Sequence, residues 1–204
     1  MNKKKITTLA VLGFSLVMAS SMPAHAKKYS NEFSGSTMPS ADADANGDMQ
    51  GGGRGVSGLE GTFGTSRGYG QSDLLPWDYF SYCDVGTGPF SGLEFYYFSA
   101  SNVIRYDDTG DLTYSVMAAT PTSTFCYNYT DLTNHTFEIH YDITGGTGKF
   151  EGATGQSVVT GKSVAIAPGH TAFSGTTNGD ITLAKKSGKS KKSHKSKKSH
   201  KSEK

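Results

Sequence analysis

In the run TFEIHYDI, residues 136–143, Glu138, His140 and Asp142 fall on alternate positions. On a β-strand that spacing puts all three side chains on one face. An imidazole between two carboxylates can act as a general base or hold a metal ion, provided the face lines a pocket. The other face carries Phe137, Ile139, Tyr141 and Ile143. Small barrels fill their interior with the apolar face. The pattern therefore predicts that the apolar row turns inward and the Glu138–His140–Asp142 row faces solvent, with catalysis there the lesser expectation. No serine sits on a nucleophile elbow, so a Ser-His-Asp triad cannot be picked out.

A second set of oxygen donors lies in DADANGD. Asp42, Asp44, Asn46 and Asp48, with Gly47 between the last two, match ligand positions 1, 3, 5 and 7 and the glycine at position 6 of a twelve-residue calcium loop. The twelfth position, where a bidentate glutamate belongs, is Gly53. Half a cage supports calcium affinity on the order of millimolar at best, and the run reads first as a solvated acidic linker. No other cofactor is expected. Three glycine-rich stretches fail as phosphate loops. GRGVSG (53–58) lacks the preceding strand and following helix that the dinucleotide motif needs, GQSVVTGKS (155–163) has the wrong spacing, and GGTGKF puts Phe150 where a magnesium-binding hydroxyl belongs.

Cys83 and Cys126 are the only cysteines. Residues 1–26 combine Lys3, Lys4 and Lys5 with an apolar stretch and an Ala24-His25-Ala26 cleavage signature, the pattern of a secretory signal peptide. Export into an oxidising compartment makes a Cys83–Cys126 disulfide the expected state. The expected location is secreted or periplasmic, with no membrane-spanning helix.

Charge is segregated. Residues 27–184 carry seven Lys and Arg against seventeen Asp and Glu, a balance of −10. Residues 185–204 carry ten Lys against Glu203 alone, a balance of +9. The tail contains SKKSHK twice, which sets Lys191, Lys192, Lys195, Lys197, Lys198 and Lys201 in a repeated array. With no apolar residue it cannot build a core, and it reads as a disordered polycation that seeks anionic envelope polymers or other polyanions. His194 and His200 add charge as pH falls. No aromatic residue interleaves with these lysines, which argues against sequence-specific nucleic-acid reading.

Residues 27–54 are small, polar and Gly-rich and read as a flexible acidic leader. From Gly55 to Ala184, short β-branched and aromatic runs alternate with Gly, Asp, Asn and Pro clusters. Strands are predicted near 56–65, 78–84, 91–99, 101–107, 112–118, 123–130, 136–143, 156–166 and 171–183. The fold class is all-β, an antiparallel barrel. Strands of this length, interrupted by Asp and Gly on both faces, argue against an outer-membrane barrel.

The stretch DITGGTGKFEGATG, Asp142–Gly155, resembles the hairpin of the dirigent and allene-oxide-cyclase barrel superfamily. Its residues suit a hairpin in their own right: Gly145, Gly146 and Gly148 allow positive φ, Phe150 plugs the core, and Ala153 and Gly155 permit close packing. The resemblance implies an eight-stranded, calycin-like barrel and carries no catalytic residue across. The leading functional expectation is an exported binding or envelope-associated protein whose barrel takes a small apolar ligand. The alternatives are a cyclase, isomerase or dirigent-like enzyme, which the resemblance suggests, and an inert structural surface protein.

Overall fold

The structure, a computed structural model, describes residues 26–39, 53–74, 80–131, 133–168 and 170–184. Ten strands follow one another: β1 (Ala26–Pro39), β2 (Gly53–Gly61), β3 (Gly64–Leu74), β4 (Phe80–Cys83), β5 (Gly92–Tyr106), β6 (Leu112–Met117), β7 (Thr124–Tyr127), β8 (His135–Gly146), β9 (Thr154–Ala167) and β10 (His170–Thr182). All pairings are antiparallel. β1 lies between β2 and β10, and β3 pairs with β5, so the sheet closes on itself. The short strands complete longer ones. β4 continues β3 along one edge of β5, and β7 continues β6 along the other. The result is an eight-stranded up-and-down barrel, which leaves few exposed strand edges.

Three expectations need correction. The barrel begins at Ala26, not Gly55: residues 26–39 are a full strand at the seam of closure, not a leader. Its inward positions hold Tyr29, Asn31 and Phe33, all buried, while its outward positions are mostly Ser, Glu and Lys. Pairing on both sides outweighs the low strand propensity of such residues. The run 66–74, outside the expected strands, belongs to β3, and the two strands expected on either side of Ala100 are one strand, β5.

Glycines facing the interior make room for phenylalanine rings. Phe33 of β1 lies opposite Gly175, Phe173 opposite Gly35, and Phe137 opposite Gly161. A Cβ on Gly175 would stand 2.8 Å from the Phe33 ring, and one on Gly35 would stand 2.8 Å from that of Phe173. The three rings meet with centroids 5.9–6.4 Å apart, in the tilted and edge-on arrangements that aromatic quadrupoles favour.

The end of the barrel holding both Ala26 and Ala184 is plugged. The β8–β9 connection contains a 3₁₀ turn, Gly148–Phe150, which drives Phe150 inward to complete burial. Phe150 stacks on Tyr106 at 4.6 Å and meets Phe63 edge-on at 5.3 Å, while the Lys149 ammonium lies 4.9–5.4 Å above these three rings. The expected role of Phe150 as a plug is what the fold uses. Gly148 has φ +57, and a Cβ there would lie inside the Asp111 carboxylate. Gly146 does not have positive φ; it is needed because the Leu112 carbonyl passes directly over its Cα.

Cys83 and Cys126 are disulfide-bonded, with Cα atoms 6.1 Å apart. Cys83 pairs with Gly92 and Cys126 with Glu94, so the bridge ties β4 to β7 across β5 on the barrel's outer side. Both sulfurs stand within 2.9 Å of where a Gly92 Cβ would be. Only glycine lets the bridge cross.

Candidate functional site

The row Glu138, His140 and Asp142 faces outward from β8, as the pattern predicts, and Ile139, Tyr141 and Ile143 are buried in the interior. Register places Glu138 opposite Thr124 and Thr160, His140 opposite Val158, and Asp142 opposite Val116 and Gln156. The His140 Nε2 and a Glu138 oxygen are 2.8 Å apart. Asp142 instead accepts a hydrogen bond from Gln156 at 3.0 Å, so the structure pairs two members of the row and diverts the third. The outer face around them mixes Val116 and Val158 with polar groups, the Thr160 and Thr176 hydroxyls lying 3.4 Å apart and Asn178 donating to Thr176. His140 and Glu138 form an ion-pair or hydrogen-bond couple on the outer side, the His140 side chain only 13% exposed; its backbone N–H donates to the Ser123 hydroxyl at 2.9 Å, and an open recess of about 620 Å³ adjoins the row at Gln156 and Val158.

The interior that a substrate would have to occupy is filled. Four tyrosines, Tyr29, Tyr97, Tyr106 and Tyr141, project into the closed body. Burial pushes all four phenols up, Tyr106 to about 12, against the lowering effect of its hydrogen bond to Thr113. They stay protonated and serve as packing with a polar end. Between Tyr29, Asn102, Thr113, Ser157, Thr177 and their neighbours remains a void of about 10 Å³. That is room for roughly one water. An apolar ligand has no space among the described interior residues. Near the void, the Asn31 amide nitrogen and the Ser66 hydroxyl are buried without partners.

One histidine that pattern reading passed over is almost fully buried. His135, first residue of β8, is 1% exposed. Its Nδ1 accepts a hydrogen bond from the Asn128 backbone N–H at 3.0 Å, and its ring stacks on Tyr127 at 4.6 Å. The connection it anchors is self-braced. The Asn128 side-chain oxygen accepts from the Thr130 and Asp131 backbone N–H groups, and Asp131 accepts from Thr133. Burial pushes the imidazole below its ordinary value, and the Asp131 charge opposes this. Parity could have revealed it, since His135 shares the face of Phe137 and Ile139.

Among the described residues no cluster of His, Cys, Asp and Glu is arranged to hold a metal. The calcium-like set Asp42, Asp44, Asn46 and Asp48 lies outside the described residues, in the connection between Pro39 and Gly53. So do the tail lysines Lys191, Lys192, Lys195, Lys197, Lys198 and Lys201. No described helix is long and apolar enough to cross a membrane. The strands reach 15 residues, so their length does not exclude a membrane barrel. The outer faces of β1, β8 and β10 carry Lys, Glu, Ser, Thr, Asn and Asp, unlike the continuous apolar band of a lipid-facing barrel. Comparison with protein-family models, curated proteins and solved structures finds no match to this chain.

Proposed function

We propose that the chain is an exported, envelope-associated binding protein in which a solid barrel displays a lysine-rich tail that grips anionic polymers. The observation that carries this reading is the charge segregation, −10 over residues 27–184 against +9 over residues 185–204. A packed interior with a void of about 10 Å³ directs binding to the outside of the barrel and to the tail. Export is supported by the signal-like residues 1–26, and a disulfide between the only two cysteines suits a secreted or periplasmic protein. The resemblance of Asp142–Gly155 to the dirigent and allene-oxide-cyclase hairpin suggests kinship of fold, and a cyclase-like activity would require the interior to open.

Cosedimentation with lipopolysaccharide tests the reading. Binding should be strong near 50 mM salt and fall by orders of magnitude near 200 mM, because the tail acts through counterion release. Binding that does not change with salt would contradict it.

A further inference from the structure

The outer face of four adjacent strands carries a row that pairing alone brings together. Val56 of β2 lies opposite Tyr69 of β3, Tyr69 opposite Val103 of β5, and Val103 opposite Tyr114 of β6. Direct antiparallel partners share a face, so these side chains form one line perpendicular to the strands. Three of them are solvent-exposed: Val56 48%, Tyr69 47% and Tyr114 37%. Other large hydrophobics are exposed as well, Phe90 and Phe98 among them, but these four are aligned in one row across the strands, a line of apolar groups that calls for an occupant.

All three arginines of the chain flank this row. Arg67 and Arg105 are cross-strand partners, one register step from Tyr69 and Val103. Arg54 pairs with Gln71 on the other side. Arg67 and Arg105 share the single carboxylate of Asp107, each at 3.8 Å, and their side chains remain 64% and 52% exposed. Against Asp107 and the exposed Glu60 of β2, the three arginines leave the surroundings of the row a balance of +1 on a body whose balance is −10. Tyr69 and Tyr114 stand two strands apart, a separation of about 10 Å, close to one disaccharide repeat of an extended glycan. Two tyrosine rings at that spacing, beside guanidinium groups that can fork onto carboxylates, match a linear polymer of acidic sugars.

We propose that the Val56–Tyr69–Val103–Tyr114 row is a glycan-binding platform, on which alternate sugars of an anionic polysaccharide stack on Tyr69 and Tyr114 while Arg67 and Arg105 take their carboxylates. The platform rests on the polyanion reading above and adds a contact that selects the polymer by its rings as well as its charge. The tail supplies long-range attraction, and the platform supplies register.

Binding of the full chain to immobilised polygalacturonate, at about 0.1 M and about 1 M salt, separates the two contacts, because the screening length falls from about 10 Å to about 3 Å. Ring contacts persist at high salt. Tyr69→Ala/Tyr114→Ala should lower affinity about tenfold there, and Tyr69→Phe/Tyr114→Phe should retain it. Tyr69→Thr/Tyr114→Thr keeps strand-forming residues and repeats the test if the alanine pair lowers the melting temperature. Equal affinity of the ring-deleted and unaltered chains would overturn the platform. So would complete loss of unaltered binding at high salt, an outcome that leaves the tail reading intact. Failure to bind at both salt concentrations would overturn both. Tighter binding of single-stranded DNA than of polygalacturonate through the same two tyrosines would overturn the choice of a glycan.

Discussion

His135 holds its place by accepting a backbone N–H at Nδ1, which only the neutral ring can do. Burial pushes its pKa below the ordinary value, so the unfolded chain takes up a proton at a higher pH than the folded one. The contribution of His135 to stability is thus complete above about pH 6.5 and declines as pH falls below it. His135→Phe keeps the stacking on Tyr127 and removes the titration. Urea midpoints at about pH 7.5 and pH 5.5 should fall less in the variant than in the unaltered protein; an equal fall in both would show that His135 does not titrate into this range. Gly148 makes a second residue-scale prediction. At φ +57, with Asp111 where a Cβ would sit, Gly148→Val should destabilise by more than about 1 kcal/mol, and so should Gly146→Val through its clash with Leu112. Unchanged denaturant midpoints would mean the β8–β9 turn is built differently. Gly148 and Phe150 were legible because turn chemistry is local, whereas the reason for Gly146, the close pass of the Leu112 carbonyl, was not. The burial of His135 could have been read from strand parity, but its hydrogen bond could not, because the partner is the Asn128 backbone N–H in the β7–β8 connection.

β5 is gripped by a covalent strap, because Cys83 and Cys126 sit on the two strand fragments that flank it. The loop closed by the bridge spans a sequence separation of 43 residues, and opening it should cost about 4 kcal/mol in the chain-entropy model. Cys83→Ser/Cys126→Ser should show that loss in a denaturant titration. Gly92→Val should trap both thiols free in an intact-mass measurement, because its side chain would occupy the path of the bridge. A variant that still forms the disulfide would place the crossing elsewhere. At this scale the sequence announced strands best where one face was aliphatic, as in β8. It hid β1 and β3, whose inward positions alternate Tyr, Phe, Asn, Ser and Gly. Those strands are specified by what they pair with: Gly35 and Gly175 make sense only opposite Phe173 and Phe33. The platform row was equally unreadable, since Val56, Tyr69, Val103 and Tyr114 become neighbours only through register across four strands.

The described residues form a closed, packed barrel with Ala26 and Ala184 at the same plugged rim. That rim also carries Asp107, Asp108, Asp111 and Glu151 of the neighbouring connections, carboxylates expected to compete with external polyanions for the tail lysines at low salt. The central claim, that binding belongs to the tail and the outer face and not to the barrel interior, is tested most directly by heparin-column elution of the full chain and of a chain lacking Lys185–Lys204. The account predicts that the full chain elutes at several-fold higher salt, and that the truncated chain, left with the outer-face contact alone, elutes early but behind the void, with its melting temperature essentially unchanged. Elution of the two proteins at the same salt would contradict it.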